Sequence, residues 1–122
     1  MYYAELYISH ASDAEEEATA YFVLGQTMER IRDFESALRF YLQGVELEPH
    51  EQFYQYFFRN NIGYSLNQLK RYEEAEAYLW EAIMIDSSRA NAFKNLGLSL
   101  EGQGKLAEAA PCFIAAIRTV RL

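Results

Sequence analysis

The chain is short of the residues that build disulfides, metal sites and tight turns. It has one cysteine, Cys112, in 122 residues, so no internal disulfide can form and a reducing compartment is the simple expectation. Its two histidines, His10 and His50, stand forty residues apart, and neither shares a ligand-like spacing with Cys112. That spacing argues against a metal site, and no cofactor is expected. No Ser falls in a nucleophile motif and no Gly-rich loop follows a strand. The acids Glu15, Glu16 and Glu17, and the pair Glu73 and Glu74, sit at expected helix starts, where they complement the helix dipole. An enzyme is therefore not expected. Bases are few as well, 11 against 18 acids for a net charge of −7. Such a balance speaks against nucleic acid as a partner. No apolar run approaches the ~20 residues of a membrane helix, so no membrane partner is expected either. The opening "MYYAELYISH" has no basic stretch leading into an apolar run, unlike a signal peptide. The expected location is cytoplasmic, unless the sequence is a domain cut from a longer chain that has lost its address.

What is present points one way. With two Pro, six Gly and 51% apolar residues, rich in Ala, Leu, Glu and Gln, the chain reads as all-helical. Three segments align, beginning at Tyr21, Arg59 and Phe93. Each contains an apolar residue followed by Gly (Leu24-Gly25, Ile62-Gly63, Leu96-Gly97) and another apolar residue three further on (Met28, Leu66, Leu100). Twelve residues after each Gly stands Ala37, Ala75 or Ala109; four later comes a bulky Tyr41, Leu79 or Phe113, and then a small Gly44, Ala82 or Ala116. Apolar residues at steps of three and four make one stripe per helix. A mid-helix Gly costs roughly 1 kcal/mol against Ala, so three at one register argue for two helices packed closely in each segment.

This pattern resembles the tetratricopeptide repeat (TPR) family, over residues 18 to 122. The resemblance implies an all-α, right-handed superhelical solenoid of three antiparallel helix pairs. The expected organisation is an N-terminal extension or lid at 1–17, repeat 1 at 18–51, repeat 2 at 52–89 and repeat 3 at 90–122. Helices are expected near 13–31, 34–48, 52–69, 72–85, 89–102 and 106–120. Arg59 stands where the family has an aromatic, and only the first repeat carries a closing proline, Pro49. Pro111 should kink its helix or delay the start. Ser12 followed by Glu15 reads as a capping box, and residues 1–11 either form a short helix or fray.

The spacing of the glycines is uneven: 34 residues from Gly63 to Gly97, but 38 from Gly25 to Gly63. Four residues are about one turn, so the extra stretch "EQFYQ" reads as a longer first helix in repeat 2, with a longer loop as the alternative. It begins a run of five rings between Phe53 and Phe58. Tyr54, Phe58, Ile62, Leu66 and Leu69 make one stripe, read as core. Phe53, Phe57, Asn60, Asn61, Tyr64, Asn67 and Gln68 make a second.

In TPR proteins the first helices line a concave groove, and the second stripe corresponds to it. Matching the family's groove positions adds Thr19, Phe22, Gln26, Glu29 and Arg30 from repeat 1, and Asn91, Lys94, Asn95, Leu98 and Glu101 from repeat 3. The carboxylate clamp that holds acidic chaperone tails would place basic residues at Phe22, Asn91 and Asn95; none is basic. What remains is amide and aromatic: Asn61 and Asn95 could grip a peptide backbone, with Phe22, Phe57, Tyr64 and Leu98 between them. Alternatively the asparagines bond a neighbouring helix. The resemblance thus implies a protein-interaction module taking a peptide or helix of another protein. Two further readings stay open, a self-associating module and the regulatory part of a longer chain. A possible homodimer would pair through Ala110, Ile114, Ile117 and Val120, the stripe at the C-terminal edge.

Overall fold

The computed structural model describes residues 13–120. Among them are six helices and no strand: α1 (Ala14–Arg30), α2 (Phe34–Glu46), α3 (Gln52–Gln68), α4 (Tyr72–Ile85), α5 (Ala90–Gly102) and α6 (Leu106–Val120). They form three consecutive helix pairs, α1–α2, α3–α4 and α5–α6, each packed face to face and onto the next pair. Of the extension expected at 1–17, residues 1–12, with the Ser12 cap, lie outside the described residues, and residues 14–17 belong to α1. The cap observed on α1 is Asp13, whose carboxylate accepts the Glu16 amide at 2.8 Å. Asp33 does the same for α2, accepting from Ser36 at 3.1 Å.

Close approach inside each pair explains the repeat glycines. A Cβ on Gly25 would lie 2.2 Å from the Tyr41 ring, one on Gly63 2.4 Å from Leu79 and one on Gly97 2.6 Å from Phe113. These are the three bulky positions of the sequence pattern, so small and large residues interlock across each pair. The turn between partner helices also repeats. Arg32, Lys70 and Gly104 stand at one register with positive φ of 63, 62 and 79°. The amide after each reaches back five residues (Asp33 to Met28, Arg71 to Leu66, Lys105 to Leu100), closing the helix with a Schellman motif.

The one-turn excess appears as a longer helix. Helix α3 has 17 residues against 13 in α5, and it starts eleven residues before its Gly rather than seven. Pro111 lies inside α6, which begins at Leu106. The expected delay in the helix start is therefore absent, because the Pro comes after the first turn has formed.

Rings dominate the core. Tyr41, Tyr56, Phe58, Leu24, Ile62, Leu66, Leu79 and Leu96 are all fully buried. Phe58 fills the space over Gly44, where a Cβ would come within 2.4 Å of its ring. That contact joins the first pair to the second. Tyr56, which falls on neither stripe, is also fully buried, and its hydroxyl accepts the Ala92 amide at 3.0 Å. It thereby satisfies one of the free amides at the start of α5.

Candidate functional site

Curvature follows from which helices touch. The first helices of successive pairs contact one another, α1 with α3 and α3 with α5, whereas α2 and α4, or α4 and α6, do not. The first helices therefore lie on the inner side of the bend. A depression of about 250 Å³ opens there, lined by Glu29, Asn60, Asn61, Tyr64, Asn91, Lys94 and Asn95. A second, of about 350 Å³, lies further along and involves Asn67, Gln68, Tyr72, Leu98 and Glu101.

The asparagines bond across helices. Asn95 Nδ2 donates to Asn60 Oδ1 at 3.0 Å, and Asn60 Nδ2 donates to Asn61 Oδ1 at 3.0 Å. Asn61 Nδ2 donates to the Tyr41 hydroxyl at 3.3 Å, and that hydroxyl donates to Glu29 Oε1 at 2.7 Å. A branch runs beside it: Asn67 Nδ2 donates to the Asn95 carbonyl at 3.0 Å, and Ser99 Oγ donates to Asn67 Oδ1 at 2.7 Å. Asn60, Asn67 and Asn95 are buried, so these bonds compensate what their desolvation costs. Each amide retains further donor or acceptor capacity.

Electrostatics follow from that burial. Glu29 is half-buried, and burial pushes its carboxyl pKa up, an effect the Tyr41 hydroxyl bond partly offsets. The buried Tyr41 hydroxyl is held well above its ordinary range by burial and by the Glu29 charge beside it. Burial also raises the Cys112 thiol, which keeps it protonated and a poor nucleophile.

Several expected groove residues stand elsewhere. Phe22 is buried, its ring held by Tyr41, Phe53, Tyr54 and Phe58 at centroid distances of 5.4–6.0 Å. It is core, because the extra turn of α3 carries Phe53 and Tyr54 across it. Phe57 is half-buried between Phe53, Tyr56 and the Arg89 guanidinium, which lies 5.1 Å from its centroid. Gln26 is half-buried on α1, outside both depressions. Tyr64 lines the first depression and meets Phe34 edge-on at 5.9 Å. At the C-terminal edge Ile114, Ile117 and Val120 are 48, 52 and 72% exposed, and Ala110 is exposed too. Ile117 and Val120 join Phe113, Ala116 and Ala90 around a mostly apolar depression of about 530 Å³, with Asn91 and Lys94 at its border with the first depression.

Residues 18–51 match one tetratricopeptide repeat family model, and residues 59–84 match another. A human protein, tetratricopeptide repeat protein 7B, is 30% identical over 97 residues, 79% of this chain. The chain belongs to the tetratricopeptide repeat family. It spans only 11% of that human TPR protein's length. Among solved structures, a MamA structure (MSR-1, C2) superposes with a TM-score of 0.77 at 23% identity, covering 97% of this chain and 64% of that one. The second TPR domain of Spaghetti (RPAP3), bound to the HSP90 peptide SRMEEVD, gives 0.77 at 24% identity, with 86% and 94% covered. These likenesses establish the TPR fold. Neither Tyr41 nor Glu29 stood out in the sequence as a pair; the signal available was the bulky residue sixteen positions after Gly25, facing the end of the same first helix.

Proposed function

We propose that this TPR domain binds a segment of another protein along the inner face of its first helices. The depression between α1, α3 and α5 carries the reading: seven residues expected from the sequence, Glu29, Asn60, Asn61, Tyr64, Asn91, Lys94 and Asn95, line it. Membership of a repeat family built for protein interaction and a structural neighbour bound to a peptide support it. Asn91 and Lys94 are exposed and free to meet a ligand, whereas the buried asparagines hold the floor in place. We take 18–51, 52–89 and 90–122 as the three repeats and place the protein in the cytoplasm, in keeping with its lone Cys112 thiol. The reading includes no reaction chemistry and no cofactor.

The acidic HSP90 peptide of the RPAP3 neighbour is not the segment we propose. No basic side chain stands at Phe22, Asn91 or Asn95 to receive a terminal carboxylate. A pull-down from native extract tests the proposal, with wild type compared against Tyr64→Ala combined with Asn91→Ala. Specific partners should be lost with the double variant while its melting temperature stays close to wild type. Partners retained at full strength by a folded double variant would contradict it.

The apolar depression at α6 favours a second reading, self-association. Within the molecule α3 covers α2 and α5 covers α4, but no described element covers the corresponding face of α6. Two copies pairing there would bury Ile117 and Val120. Light scattering over a concentration series decides between this and a free edge.

A further inference from the structure

We infer that the depression on the inner face takes a basic side chain of the bound segment, lysine or arginine, with the Glu29 carboxylate as its counter-ion. The inference rests on the inner-face reading above and names the chemistry of its partner. Its ground is the carboxylate on which the hydrogen-bond chain ends. From Asn95 through Asn60 and Asn61 to the Tyr41 hydroxyl, every donor points the same way, and the last bond, 2.7 Å long, ends on Glu29 Oε1. Aligned bonds of this kind polarise one another and present their positive ends to Glu29, which favours its ionised form and so keeps an anionic acceptor at the end of the chain. That acceptor lies in the wall of the depression.

The carboxylate has no cation of its own. Among the described residues the ion pairs are Arg59 with Glu81, Arg71 with Glu74, Arg89 with Asp86 and Lys105 with Glu76. Only the Tyr41 hydroxyl acts to favour the charged form of Glu29, and burial works against it. Lys94 shares the depression but is exposed and makes no ion pair with Glu29, so solvent screens its charge. A partly desolvated carboxylate without a counter-charge is costly to keep and gains most from a cation brought in by a ligand. If Glu29 served only to accept the Tyr41 proton, a glutamine amide oxygen would serve as well. The net charge of −7 adds a long-range attraction for the same kind of partner.

Capped heptapeptides of Gly and Ala, identical except for a central Arg, Lys, norleucine or Glu, provide the test. Binding is followed by two-dimensional ¹H–¹⁵N NMR on the side-chain amides of Asn60, Asn61 and Asn95. The Arg and Lys peptides should bind about tenfold or more tightly than the norleucine peptide, the order of one charge-assisted contact. Glu29→Gln should abolish that preference with no fall in melting temperature, and Glu46→Gln, an equal change in net charge away from the depression, should preserve it. Equal binding of the norleucine or Glu peptide overturns the inference while leaving the inner face as the binding surface. An Arg preference that survives Glu29→Gln overturns it too. Silence of these amides with all four peptides at millimolar concentration also overturns it, and the pull-down then judges the inner face separately.

Discussion

At the scale of single residues, Tyr41 ties the core to the inner face. Its ring occupies the space that Gly25 leaves empty, and its hydroxyl ends the asparagine chain on Glu29. Gly25→Ala should therefore cost about 1–3 kcal/mol in denaturant unfolding, as overpacked sites do. Phe58→Ala or Ile62→Ala should cost about 2–5 kcal/mol, because both side chains are fully buried. Phe57→Ala should cost less, being only half-buried. Glu29 gives a pH signature. Its folded-state pKa is raised, so the folded protein binds this proton more readily than the unfolded chain, and the ionised carboxylate works against folding. The penalty is full above the raised pKa and vanishes below the ordinary glutamate value. The melting temperature of Glu29→Gln should thus exceed that of wild type near neutrality, with the gap closing as pH falls through that window. The core stripe of α3 was legible because Phe58, Ile62 and Leu66 keep helical spacing. Phe22 was misplaced because its burial depends on rings from another helix. Tyr56 was missed because its role, accepting the Ala92 amide, depends on the tertiary position of α5.

At the scale of elements, the helices were nearly all readable, with boundaries within two residues of those expected from the repeat. The reason is local: each helix carries one apolar stripe, and each turn is punctuated at the same register. The four extra residues before repeat 2 could be read as one turn because a full turn keeps the stripe in phase. Less readable was the turn itself. Its left-handed residue is Gly only in the third repeat, while Arg32 and Lys70 occupy it in the others. Gly104→Ala should destabilise by about 1 kcal/mol, since the added Cβ opposes positive φ although nothing crowds it. Lys70→Gly should act in the opposite direction by up to about 1 kcal/mol. Thermal unfolding of the two variants side by side checks both signs.

At the scale of the whole molecule, three pairs in series leave a polar depression on the inner face and an apolar one at α6, which meet at Asn91 and Lys94 of α5. The family was readable from the period, because repeats impose one spacing on every pair. What the inner face holds was not, because its amides could equally bond a ligand or one another, and only the packed helices show that Asn60, Asn61 and Asn95 do the latter. Burial of each Ile at the edge would contribute roughly 1.5–3 kcal/mol. Ile114→Lys with Ile117→Glu should therefore remove any concentration-dependent rise in mass measured by light scattering, and leave binding at the inner face intact. In the proposed function the inner face, not the edge, holds the partner. This is tested most directly by a ¹H–¹⁵N titration of the labelled domain with the segment recovered by the pull-down. Binding at the inner face should give shifts centred on Asn60, Asn61, Tyr64 and Asn95; shifts confined to Phe113, Ala116, Ile117 and Val120 would contradict it.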